Sequence, residues 1–232
     1  LQPRRSQILE LIEWYERQLR KLGVDLRLNT PLDGKEVKAF GAERVIVATG
    51  SLPAMNGFQR AIPQQERLTG VDLPNVWSIE DVMGKLARPG KRVILVDDTG
   101  DWRGAGTAWY LAEQGHEVTI VTGWPIVGFW IQRTAGDGKL RSTLAQRGAS
   151  WKTESALVAW QGKHAVIRNL LNGEESQIDA DALILATTNL SETTLGDELN
   201  ALNLPHTAVG DSVSPRLAVH AIYEGREAGM KI

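Results

Sequence analysis

Residues 92–123, RVILVDDTGDWRGAGTAWYLAEQGHEVTIVTG, constrain the fold more than any other part of the chain. An apolar run at 92–96 predicts a strand, the spacing over 104–114 predicts a helix, and 117–122 predicts a second strand. That order is the repeating unit of a parallel, nucleotide-binding sheet. The turn departs from the rule. A Rossmann turn uses three glycines to bend sharply, to let the backbone approach a pyrophosphate and to pack the helix on the sheet. Here Asp97, Thr99 and Trp102 stand in those places. Carboxylates beside a helix N-terminus oppose a phosphate that the helix would otherwise attract. Gly100, Gly104 and Gly106 leave the backbone free to approach a ligand by another path, and Trp102 offers a ring for stacking on adenine or flavin. The second strand ends in Thr122-Gly123, without the acid that usually holds an adenosine ribose. These features argue against an ordinarily docked NAD(P)H. They leave Asp98, Thr99, Gly100, Trp102 and Thr122 as candidate binding residues of an altered site.

The flanking sequence extends the α/β pattern. SQILELIEWYERQLRKLG carries Ile8, Leu11, Ile12, Tyr15, Leu19 and Leu22 at helical spacing, with Ser6 as N-cap and Gly23 as the stop, which predicts an amphipathic helix with one buried face. VDLRLN (24–29) and RVIVATG (44–50) read as strands. Prolines and glycines then crowd residues 51–90, leaving room for a short helix in SIEDVMGKLA before the turn already described. GKLRSTLAQRG predicts another helix. Past Trp151 come four short β segments, SALVAW, HAVIRNLL, SQID and ALILATT, of which three form a meander. Its Asn172-Gly173 pair predicts a type I′ turn. A last strand leads through Gly210-Asp211 into a closing helix, where Pro215 precedes a narrow, mostly small-residue face of Ala218, Ala221, Ile222, Gly225 and Ala228.

Composition removes whole classes of function. Net charge is -2 with interspersed signs, so no basic stripe invites nucleic acid. The apolar runs fall short of the ~20 residues of a membrane span and the first residues lack the charged, apolar and small-residue order of a signal peptide, which sets a cytoplasmic expectation. With no cysteine the chain has no disulfide, thiolate zinc site or cysteine-held cluster, so redox chemistry needs an organic cofactor. The four histidines are scattered and suggest no metal site.

Two further signals complete a constellation. AERVIVATG ends a strand at Thr49-Gly50, and AVGDSVSPRLAVHAIYEGREAG places Gly210 and Asp211 before a helix whose N-terminus favours phosphate. Together with the 92–123 stretch, and in this order and spacing, they make nearly the whole chain resemble the C-terminal part of the trimethylamine dehydrogenase group of Old Yellow Enzyme-like NADH:flavin oxidoreductases, flavoproteins with two dinucleotide-binding domains. The resemblance implies an α/β fold in which a Rossmann-like three-layer domain with a degenerate fingerprint (77–186), carrying a β meander, is inserted in an incomplete FAD- or ADP-type domain (1–76 and 187–232). It implies Gly50 at the domain crossing, and Gly210 and Asp211 at an ADP or FAD site. FMN, an iron–sulfur cluster and the catalytic residues belong by the same resemblance to an N-terminal barrel upstream of Leu1, so no catalytic residue is assigned here and the chain reads as a fragment. The implied partners are that barrel, an adenine nucleotide, an electron-transfer flavoprotein and a second copy in a homo-oligomer.

Three other readings compete. Both nucleotide folds could serve only packing or electron-transfer docking. A working NAD(P)H-dependent flavin reductase would need a new pyrophosphate grip. A phosphoribosyltransferase would use the acidic pair and a Thr-Gly loop, but Thr99-Gly100 comes too early and Gly106-Thr107 lacks the preceding threonine.

Overall fold

A computed structural model describes Pro3 and residues 5–232. The elements in chain order are α1 (Gln7–Lys21), α2 (Gly34–Phe40), β1 (Val45–Val47), β2 (Ser51–Pro53), β3 (Val76–Ser78), α3 (Ile79–Met83), β4 (Arg92–Asp97), α4 (Trp102–Glu113), β5 (Glu117–Val121), α5 (Asp137–Gln146), β6 (Ser150–Lys152), β7 (Ser155–Trp160), β8 (His164–Asn169), β9 (Glu175–Asp179), β10 (Ala182–Ala186), β11 (Asn189–Ser191), α6 (Thr194–Ala201), β12 (His206–Ala208) and α7 (Ala218–Gly229). The chain divides into two compact units: Leu1–Glu10 with Ala54–Thr188, and Leu11–Pro53 with Asn189–Ile232.

The first unit is a parallel five-stranded sheet in the order β3-β10-β4-β5-β6, plus the antiparallel meander β7-β8-β9. Because successive side chains of a strand point to opposite faces, β4 serves two cores at once. Val93 and Leu95 pack with Ala105, Ala108, Leu111, Leu140 and Leu144 of the helices. Ile94 and Val96 pack with Leu157, Trp160, Ala165 and Ile167 of the meander. The result is three layers: helices, parallel sheet, meander. Residues 54–76 cluster with this unit, where Leu68, Val71 and Val76 complete the meander-side core.

The second unit contains two two-stranded ladders, β1 parallel to β12 and β2 antiparallel to β11, with α2, α6 and α7. Asp33 caps α2 in a reciprocal box with Glu36, a helix start that the sequence reading passed over.

Several local expectations change. Helix α1 forms at the expected place and stops at Gly23, whose φ is +72°, but none of its residues is buried and Ile8, Ile12 and Trp14 stay about half exposed. Residues 24–29 form no strand; alternation of Val24, Leu26 and Leu28 predicts one, but no neighbouring strand pairs with them and all three are exposed. The Asn172-Gly173 turn is not type I′, because only Gly173 has positive φ. Instead the side chain of Asn169 accepts from the amides of Leu171 and Asn172, and Gly173 donates to the Asn169 carbonyl, so a longer loop is nucleated from its first residue. In α7 no residue is buried, although Ala221 closes tightly on Gly210.

Candidate functional site

The altered turn after β4 is closed by its own residues. Asp97 is fully buried, and its Oδ1 accepts from the Gly100 amide at 2.9 Å and from the Thr99 hydroxyl at 2.9 Å. Thr99 Oγ1 also lies 3.0 Å from Asp101 Oδ1, and Asp101 caps α4 by accepting from the Arg103 amide at 2.8 Å. Amides that a Rossmann turn would offer to a pyrophosphate are thus directed at carboxylates of the chain itself. Burial pushes the Asp97 carboxyl up to about 7, against the lowering effect of the Gly100 and Thr99 hydrogen bonds. Its Oδ2 is buried without a hydrogen-bond partner.

Two glycines that leave a ligand route open in sequence are filled in space. A Cβ on Gly104 would sit 2.3 Å from Asp97 Oδ1, so the carboxylate occupies the gap between strand and helix. A Cβ on Gly100 would sit 2.7 Å from Trp124 Nε1. Trp124 covers the turn: its Nε1 donates to the Asp98 carbonyl at 3.1 Å, it stacks on Phe129 at 4.6 Å, and the Trp130 amide donates to the Gly100 carbonyl at 2.9 Å.

The remaining candidates of this turn are likewise engaged. Asp98 takes the Arg60 amide on Oδ1 at 2.9 Å and Arg60 Nε on Oδ2 at 2.8 Å. Trp102 packs against the helix-side core with the Arg5 guanidinium 3.6 Å from its ring centroid. Thr122 is buried and donates to the Asp97 carbonyl at 2.7 Å. Sequence reading located the turn but missed Arg60 and Trp124, which come 38 and 26 residues away from Asp98 along the chain.

The second unit holds a different arrangement. Gly50, Gly210 and Asp211 converge with Ala48, Arg216, Ala218, Ala221 and Gly225 on a cleft of 520 Å³. Gly50 and Gly210 have φ of +79° and +68°, conformations that glycine adopts without steric cost. A Cβ on Gly50 or Gly225 would meet nothing within 4 Å, so open space faces both. Asp211 accepts from Ser51 Oγ at 3.1 Å and from the Arg216 amide at 3.2 Å, while Asn189 donates to Ser51 at 3.0 Å. Glu224 takes the Gly210 amide at 2.7 Å and pairs with Arg216, which together hold its carboxyl below the usual range. Thr49 turns away, donating to the Glu192 carbonyl at 2.6 Å. The cleft size lies in the range of small-molecule sites. Hydroxyl-accepting carboxylate, guanidinium and the uncapped start of α7 supply the donor set that ribose and diphosphate need. Among the described residues no cluster of His, Asp and Glu is placed to hold a metal, and no helix is long and apolar enough to cross a membrane.

A parallel sheet with its meander, and a second unit with a Gly-Asp strand end before a helix, define an α/β nucleotide-type fold. Comparison with known proteins agrees. The chain is 30% identical over 231 residues to cinnamate reductase of Clostridium sporogenes, covering 96% of this chain and 31% of that protein. It is 26% identical to dimethylamine dehydrogenase of Hyphomicrobium sp., covering 87% of this chain and 31% of that protein. The structure of 6-hydroxypseudooxynicotine amine oxidase from Pseudomonas geniculata N1 superposes with a TM-score of 0.93 at 29% identity, over 99% of this chain and 35% of that one. No family profile matches. The chain belongs to the trimethylamine dehydrogenase-like NADH:flavin oxidoreductases as their C-terminal region, and spans about a third of the length of the relatives it matches.

Proposed function

We propose that the second unit binds the adenosine diphosphate moiety of ADP or FAD in the cleft at Gly50, Gly210 and Asp211, within a longer flavin-dependent oxidoreductase acting on amines. The observation that carries the reading is the convergence of two positive-φ glycines, Asp211 and Arg216 on one open cleft. Asp211 would accept from ribose or ribityl hydroxyls, giving up its bond from Ser51. The α7 N-terminus and Arg216 would face the diphosphate. Thr49 would position the Gly50 turn through Glu192 without touching the ligand. FMN, the iron–sulfur cluster and an electron-transfer flavoprotein partner belong to this proposal as features of the longer protein. The amine class is supported by the likeness to an amine oxidase and to a dimethylamine dehydrogenase, with a cinnamate reductase among the relatives as the competing class.

Calorimetric titration of the complete protein with ADP and FAD tests it. Binding of either should weaken at least tenfold in Asp211→Ala, since a charged hydrogen-bond partner contributes about 1.5–3 kcal/mol. Unchanged binding in that variant would reject the site. Turnover of dimethylamine or histamine with an artificial electron acceptor supports the amine class, whereas reduction of cinnamate with no amine oxidation rejects it.

A further inference from the structure

In open α/β sheets, ligands bind outside the carboxyl ends of the strands, at the point where strand order reverses. Here β4 lies between β10 on one side and β5, then β6, on the other, so that point falls between β4 and β10. A continuous segment of the same unit lies across it. Ala54 donates its amide to the Thr188 carbonyl at 3.1 Å and its carbonyl accepts from the Thr187 hydroxyl at 3.4 Å, just past β10. Arg60 reaches Asp98, just past β4, with its amide, its Nε and its Nη2, the last on the Asp98 carbonyl. Ala61 lies so close past β5 that a Cβ on Gly123 would come within 2.7 Å of it. Gln59 is 4% exposed and clamps β7 at both ends of its amide, donating to the Leu157 carbonyl at 2.7 Å and accepting from the Leu157 amide at 2.9 Å. Gln65 donates to the Val158 carbonyl at 2.9 Å.

A connection that merely passed over the surface would leave such side chains to water. This one buries a glutamine amide and an aspartate and satisfies both, which is the treatment a ligand receives. Charge also matches: the guanidinium of Arg60 pairs with the buried Asp98 carboxylate at 2.8 Å.

We propose that residues 54–65 are a built-in occupant of the dinucleotide crevice of the first unit, held by Arg60 on Asp98 and by Gln59 on Leu157, so that this unit takes its own chain where its fold would take NAD(P)H. The proposal concerns the first unit alone and is independent of nucleotide binding in the second. It makes the segment, and not only the loss of turn glycines, the barrier to a nicotinamide nucleotide. Restoring glycine at Asp97, Thr99 and Trp102 would therefore leave the crevice closed.

Hydrogen exchange read by mass spectrometry on the complete protein, with and without millimolar NADH or NADPH, tests it. In the wild type the amides of Arg60 and Leu157 should exchange at least a hundredfold slower than in an unstructured peptide, and neither nucleotide should change exchange over 54–65 or 97–104. In Gln59→Ala/Arg60→Ala, exchange over 57–62 should rise at least tenfold while the strands β4, β5 and β10 keep their protection. Protection of 97–104 by NADH or NADPH in the wild type would overturn the proposal, as would near-peptide exchange at Arg60. The wild-type arms decide the matter if the double variant fails to fold, and ADP effects confined to residues 48–50 and 209–225 report only on the other site.

Discussion

Asp97 shows how much one side chain can alter a nucleotide fold. Its carboxylate fills the space against Gly104, draws in the Gly100 amide and the Thr99 hydroxyl, and leaves its other oxygen buried without a partner in the protein. Burial is the dominant influence on its proton, ahead of the repulsion from Asp101 and Asp98, and raises the carboxyl from an ordinary value near 4 to about 7. A carboxyl raised on folding binds its proton more tightly in the native state. Its contribution to stability is therefore fully present below about pH 4 and is lost as pH rises through 7. At about 1.4 kcal/mol per unit, the whole effect is on the order of 4 kcal/mol. Asp97→Asn keeps an acceptor for Gly100 and Thr99 and cannot ionise. The wild type should lose more stability than this variant between pH 6 and pH 9, by about 1.4 kcal/mol on that scale, the rest of the effect having been lost between pH 4 and pH 6. Urea denaturation at the two pH values measures the difference, and parallel pH profiles would refute it.

At the level of elements, legibility in the sequence followed the source of each element's stability. Strand β4 and helix α4 were readable because their apolar periodicity is the pattern that the two cores use, with Val93 and Leu95 on one face and Ile94 and Val96 on the other. Helix α1 was readable as a helix but not as exposed, since periodicity reports a face and says nothing of what covers it. Residues 24–29 carry strand alternation without a partner strand, and alternation alone gives no ladder. The altered turn was recognisable by its missing glycines. Its closure was not, because Arg60 and Trp124 reach it through the folding of the sheet and share no local motif with Asp98. The same contrast predicts mutational costs in the isolated chain. Leu111, 1% exposed in α4, should lose about 2–5 kcal/mol on substitution by alanine. Ile12, 53% exposed in α1, should lose under about 0.5 kcal/mol on the same change. Chemical denaturation of both variants compares them directly, and equal losses would show that α1 is packed in solution.

On the scale of the whole molecule, the two units differ in how much they bury. The first packs both faces of a five-stranded sheet. The second buries only Val47, Leu199 and Val209 among its apolar side chains, and its ladders are two strands each. A two-stranded ladder is marginal in water without further strands or a substantial packed face. Stability should therefore be uneven, with local opening far easier in the second unit. In the isolated 232-residue chain, amides of β4, β5 and β10 should be the slowest to exchange, and those of β1, β2, β11 and β12 should exchange at least a hundredfold faster. A ligand that binds only the folded second unit must raise its stability by mass action, by about 2.7 kcal/mol at a hundred times its dissociation constant. Saturating ADP should accordingly slow exchange in β1, β12 and the Gly210 turn by up to about a hundredfold while leaving β4, β5 and β10 unchanged. Uniform slowing of both units would instead show that they open together, and no slowing anywhere would leave the Gly210–Asp211 cleft without an adenine nucleotide.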